Sequence, residues 1–245
     1  MTYCLAIILS GGLVLASDSR SNAGVDQVAR VQKLALMPSA PDRVVAIQSA
    51  GNLATTQAVV TTLTEAFGSG DEESDLKRAD SMFEIANLVG GQLRKIVARD
   101  REFVQPYGDP SASFLVSGQL AGERPRLFEV YSAGNVVEAS SRSPFLQIGE
   151  TKYGKPILDR ALSDDRSLGE AAKLALLSFD ATMRSNLSVG PPIDLLLYAA
   201  DRIQAPAIVT VEEDDPYWTQ LRKAYSEGLS ALVASLPPPP AAWGG

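Results

Sequence analysis

Strand-patterned runs in this chain come in blocks, not singly, and that order constrains its fold more than any other feature. Residues 2–9 and 13–19 are apolar, strand-like runs joined by Ser10-Gly11-Gly12, which reads as a hairpin. After a loop over residues 22–26, residues 33–37 and 44–48 read as two more strands, split by a turn over 38–42. The period then changes. Leu53, Val59, Val60, Leu63 and Phe67 fall at helical spacing, and a polar loop over 68–75 separates them from a second helix over 79–101. Strands return at 113–117, 126–131 and 136–139, helices at 155–162 and 168–183, and closing strands at 193–199 and 207–211. A last helix runs over 215–234. Grouped strands and grouped helices are not a βαβ alternation. They predict an α+β fold, a four-layer αββα sandwich of two antiparallel-rich sheets flanked by helices.

The 245 residues suit one large domain or two small ones, and are read here as one domain over 1–236. Prolines at 237–240 keep the remaining tail, 237–245, out of helix and sheet. With 45% hydrophobic residues the chain can bury a core without disulfide or metal staples. A net charge of −7 argues against nucleic acid and anionic membranes as partners. No run reaches the roughly 18 apolar residues that span a bilayer. Residues 5–17 look like a signal-peptide core, but no Lys or Arg precedes them and Ser10-Gly11-Gly12 interrupts them, so a cytoplasmic protein is expected. The chain has no histidine. That removes Ser-His-Asp and Cys-His nucleophile systems and histidine-ligated zinc. The single cysteine, Cys4, can form neither an intrachain disulfide nor a thiolate metal site, and on an apolar strand it reads as a small buried hydrophobe. No cofactor is expected.

Thr2 directly follows Met1. Removal of Met1 would place a hydroxyl and a free α-amine on one residue. That amine has a reference pKa of about 7.7–8.0, close enough to neutrality to take the hydroxyl proton. Threonine at position 2 is also commonplace and by itself carries no role. Asp18 and Arg20, two apart at the end of the second run, share a strand face, and Lys33 opens the third run. These three are either a solvated surface set or a lysine held by a carboxylate beside the threonine hydroxyl, where it lowers that hydroxyl's pKa. In Gln48-Ser49-Ala50-Gly51-Asn52 a strand passes to a helix. Gly51 there is either a simple turn residue or an oxyanion donor close to a helix N-terminus.

Taken together, Thr2 at a strand start, Ser17-Asp18-Ser19-Arg20, Lys33 and Ser49-Ala50-Gly51 resemble the N-terminal-nucleophile hydrolases of the proteasome β-subunit type. More narrowly, Met1-Thr2-Tyr3-Cys4, the stretch from Ser17 to Asp26 and Ser185-Asn186-Leu187-Ser188-Val189-Gly190-Pro191-Pro192-Ile193-Asp194 resemble Anbu, the ancestral β-subunit family, over residues 2–212. The resemblance implies Thr2 as nucleophile, its amine as base, Asp18 and Lys33 as tuning groups, Arg20 as support for Asp18, and the Gly51 N–H as oxyanion donor. It implies that Asp180 and Ser188 orient the threonine amine. Glu150 departs from the proteasome pattern, which places a serine beside that amine; Thr151 takes the position if the alignment slips by one. A carboxylate there would accept a hydrogen bond from the amine and raise its pKa.

The implied activity is threonine-type hydrolysis of a peptide or protein substrate. Two alternatives remain open at this stage: a catalytically weak or silent scaffold subunit, and an amidohydrolase acting on small amides. The resemblance also implies a large homo-oligomer, ring or helical stack, and is compatible with an ATP-dependent partner, although the chain carries no phosphate-binding glycine loop.

Overall fold

The computed structural model describes residues 2–23 and 27–240. β1 (Tyr3–Leu9) and β2 (Gly12–Asp18) form the expected hairpin, and nearly every residue in both is buried. Strands buried on both faces belong to the middle of a sandwich. They are flanked by β10 (Phe145–Gly149) on one side and by β11 (Ile193–Ala199) and β12 (Val209–Val211) on the other, in the order β10-β1-β2-β11-β12. The second sheet runs β5 (Leu34–Leu36), β6 (Arg43–Gly51), β7 (Ala112–Leu120), β8 (Arg126–Val130), β9 (Val136–Glu138). Every pairing between these strands is antiparallel.

Side-chain alternation builds the layers. Cys4, Ala6, Leu13, Leu15 and Leu196 of the first sheet meet Leu34, Val44, Ala46, Ala50 and Leu115 of the second. Their neighbours Tyr3, Leu5, Ile7, Val14 and Ile193 turn the other way, onto α3 (Lys155–Ala161), α4 (Leu168–Ser185) and Trp218 of α5 (Pro216–Ser235). In the second sheet, Val45, Ile47, Phe114, Val116 and Phe128 pack on α1 (Leu53–Glu65) and α2 (Met82–Val104). The result is the expected αββα order. Side-chain caps fix where the helices begin: Asn52 accepts from the Thr55 N–H, Ser81 from Glu84, Asp215 from Trp218, and Ser167 forms a capping box with Glu170.

Two local expectations change. The loop read over 22–26 is flanked by a two-stranded sheet of β3 (Arg20–Ala23) and β4 (Gln27–Arg30), and residues 24–26 lie outside the described residues. β10, absent from the sequence reading, pairs with β1 from Tyr3↔Gly149 to Ile7↔Phe145. It is a five-residue strand with no clean alternation, so only its partner identifies it.

Candidate active site

Thr2 sits one residue ahead of β1, half-buried, and opens into a cavity of about 130 Å3. Lys33, Gly51, Ser21, Ala35, Thr56 and Val60 line the same cavity. Antiparallel pairing explains this gathering. The start of β1, the end of β2, the start of β5 and the end of β6 all come to one end of the two-sheet stack.

Asp18 closes β2 and is fully buried. Its Oδ1 accepts from the Lys33 Nζ at 2.7 Å and from the Tyr3 N–H at 2.9 Å, and its Oδ2 from the Gly190 N–H at 3.4 Å. One carboxylate therefore ties the lysine to the strand that carries Thr2. Lys33, 7% exposed, also donates to the Arg20 carbonyl at 2.6 Å. This burial excludes the solvated surface set that the sequence left open. Loss of solvent pushes the Asp18 carboxyl above its ordinary range, against the opposing pull of Lys33 and the two N–H donors. The Arg20 guanidinium donates to the Leu187 carbonyl at 2.9 Å, so its contact is to the loop after α4 and not to the Asp18 carboxylate.

Gly51 ends β6 with φ +114°, a left-handed-side conformation that a Cβ disfavours. A Cβ there would lie 2.5 Å from the Ser111 carbonyl oxygen. The Ser49 N–H donates to the Lys33 carbonyl, and the Asn52 N–H donates to the Ser111 carbonyl on the opposite edge. Alternation along the strand then directs the Gly51 N–H to the edge shared with Lys33, where the cavity opens. Gln48, buried one turn of the pleat away, donates to the Leu5 and Ala16 carbonyls and to the Ser17 hydroxyl, and so pins the two sheets together beside the site. Cys4 is fully buried, and burial pushes its thiol up to about 12, which keeps it protonated and inert.

The Glu150 backbone pairs with Thr2: its N–H donates to the Thr2 carbonyl at 2.7 Å. Its side chain is held by the Lys152 N–H and by Asn186 Nδ2, both at 3.0 Å. Ser188 sits in the loop after α4, its N–H on Asn186 Oδ1 at 3.0 Å, between Leu187 and Gly190, which contact Arg20 and Asp18. Asp180 is not brought to the Thr2 cavity. Its carboxylate takes the Arg222 Nε at 2.6 Å and the Arg184 Nε at 3.0 Å, on the side of α4 that meets α5. The reason is helical phase. Ser178, whose hydroxyl meets the Tyr3 hydroxyl, lies two residues earlier and so about 200° around the helix. Asn186, which the sequence reading quoted but gave no role, is the residue at the end of α4 that reaches the Thr2 side of the molecule, through Glu150. No spacing rule marked it, since its place depends on where α4 stops.

Two stacked antiparallel sheets between helical layers, with a threonine heading the first strand, define a proteasome-like α+β fold. The structure is similar to Anbu (ancestral β-subunit) from Yersinia bercovieri, with 44% identity, 97% of this chain and 98% of that one covered, and a TM-score of 0.89. It is similar to a protomer of the helical assembly of the Anbu complex from Pseudomonas aeruginosa, with 44% identity, 98% and 99% covered, and a TM-score of 0.92. Anbu from Hyphomicrobium sp. strain MC1 is 45% identical over 96% of this chain and 98% of that one, with a TM-score of 0.87. No protein-family model matches the chain, and no curated protein matches it. At these identities over nearly full length, the chain belongs to the Anbu family.

Proposed function

We propose that the protein is a threonine-type hydrolase of peptide or amide bonds, with Thr2 as nucleophile once Met1 is removed. The observation that carries this reading is the shared cavity of Thr2, Lys33 and Gly51, with Lys33 clamped by the fully buried Asp18. The Thr2 hydroxyl oxygen attacks the substrate carbonyl carbon while its proton passes to the α-amine, directly or through water. The Gly51 N–H and the Lys33 ammonium stabilise the oxygen that becomes negative. The carbon–nitrogen bond then breaks, the α-ammonium returns its proton to the leaving nitrogen, and an ester on Thr2 remains. Water adds to that ester with the amine again as base, releasing the acid and restoring Thr2. Apart from Lys33, Gln32 and Gln57 the cavity walls are small, aliphatic or hydroxylated, which suits an uncharged substrate side chain. The test is hydrolysis of a fluorogenic peptide panel by chain beginning at Thr2. Cleavage that disappears in Thr2→Ala is expected; equal cleavage by Thr2→Ala rejects the nucleophile.

The second reading, a self-assembling subunit, is compatible with the first. It is supported by the helical assembly of the Pseudomonas aeruginosa relative and by exposed Leu229, Leu232, Val233 and Leu236 on and just after α5. We infer that this chain also associates with copies of itself. Met1 decides whether such an assembly is catalytic, because a retained methionine leaves no free amine on Thr2.

A further inference from the structure

Glu150 is 8% exposed, yet among the described residues its carboxylate meets no cation. Its two oxygens are held by neutral donors, the Lys152 N–H and the Asn186 amide. A buried carboxylate fixed only by neutral donors lacks the compensating charge that burial normally requires. The groups around it do not supply one. Lys33 is committed to Asp18, Arg20 to the Leu187 carbonyl, and Arg184 to Asp180. Lys152 is exposed, and the Tyr3 hydroxyl, raised to about 12 by burial, is neutral.

Thr2 pairs with the backbone of Glu150. The β1–β10 register ends at Tyr3↔Gly149, and the bond from the Glu150 N–H to the Thr2 carbonyl carries it one pair further. Residues opposite each other in an antiparallel pair have Cα atoms on the order of 5 Å apart. Removal of Met1 creates a positive charge at this place. We propose that Glu150 is the counter-ion of the Thr2 α-ammonium, and that Asn186 and the Lys152 N–H aim its carboxylate so that it positions this amine. The inference rests on the reading of Thr2 as the chain's first residue in the working protein. Glu150 acts through the amine and does not itself touch the reacting bond.

Lys33 lines the same cavity as Thr2, and its charge is paired with the Asp18 carboxylate. Glu150 therefore sets the balance and holds the proton on the amine. The test uses the full chain released from a cleavable N-terminal fusion so that it starts at Thr2. The pH dependence of acetylation of the Thr2 amine is read by peptide mass spectrometry, with hydrolysis measured in parallel. The expected midpoint lies about one unit above the ordinary 7.7–8.0. It should return to that range in the near-isosteric Glu150→Gln and stay above it in Glu150→Asp, which keeps the charge. A wild-type midpoint at or below the ordinary range overturns the proposal even if Glu150→Gln fails to fold, and so does a midpoint that Glu150→Gln leaves unmoved. A raised midpoint in a chain that hydrolyses nothing supports the pairing and counts against the hydrolase reading instead.

Discussion

The Lys33–Asp18 pair shows how much one carboxylate organises. Asp18 holds the lysine, the backbone of Tyr3 and the loop at Gly190 through three hydrogen bonds to its two oxygens. Removing one partner of a buried pair leaves an uncompensated charge, at a cost of about 3–5 kcal/mol. Lys33→Met should therefore unfold at lower urea concentration by about that free energy near neutral pH, and should lose hydrolysis. Burial raises the folded-state pKa of Asp18, so the folded chain takes up this proton at a higher pH than the unfolded chain does. The sign follows: this group favours folding more as pH falls, but protonation frees Lys33. Hydrolysis should thus fall on the acid side at a pH above the ordinary carboxylate range, in a pH–rate profile of the chain starting at Thr2. Tyr3 carries the same signature in the alkaline range. Its hydroxyl is raised to about 12, so its contribution is full below pH 10 and is lost as pH rises through about 12, on the order of 3 kcal/mol. Tyr3→Phe keeps the ring against Phe179 but lacks this ionisation, so its denaturant midpoint should decline less between pH 9 and 11 than that of the wild type. Thr2, Asp18, Lys33 and Gly51 were singled out together by the resemblance; their places at strand ends alone left a solvated surface set and a simple turn open. The surroundings of Asp180 were not legible, because its partner Arg222 lies 42 residues on, and helical phase decides which face meets it.

Among elements, the passage from β6 to α1 is the most constrained part of the site. Gly51 combines a positive φ with a carbonyl 2.5 Å from where a Cβ would stand. Gly51→Ala should cost roughly 2–4 kcal/mol, the sum of backbone strain and a clash with main chain that cannot rotate away. Chemical denaturation measures this directly, and a cost below 1 kcal/mol would mean that the β6–β7 corner yields easily. Long elements were legible because their periods repeat: α1, α2, α4 and α5 begin within about three residues of where their apolar stripes predict. β10 was not. A five-residue strand gains its identity from pairing with β1, and no local pattern encodes that partner. The β3–β4 pair was missed for a similar reason, since Ser, Asn, Ala and Gly in this stretch carry weak strand preference.

At the scale of the molecule, the two sheets and their helices leave α5 on the outside, attached through Trp218 and through the Asp180–Arg222 pair, with a row of apolar side chains exposed toward its end. Asp180→Ala leaves Arg222 and Arg184 without their carboxylate. It should loosen α4 from α5 and lower stability by more than 1 kcal/mol, while chain starting at Thr2 keeps its hydrolytic activity; loss of hydrolysis with the fold intact would return Asp180 to the site. Sedimentation should give a particle heavier than a monomer, and Leu232→Glu, on the exposed face of α5, should lighten it. The four-layer order itself was legible from the blocks of strands and helices, because grouped elements fit sheets packed on each other with helix layers outside. The most direct measurement of the central claim is the intact mass of chain starting at Thr2 after incubation with a peptide epoxyketone, which needs both a hydroxyl and the adjacent free amine to close its ring. One adduct per chain is expected, absent in Thr2→Ala and in chain that retains Met1. An unmodified mass in a folded, trimmed chain, or an adduct that persists in Thr2→Ala, would contradict it.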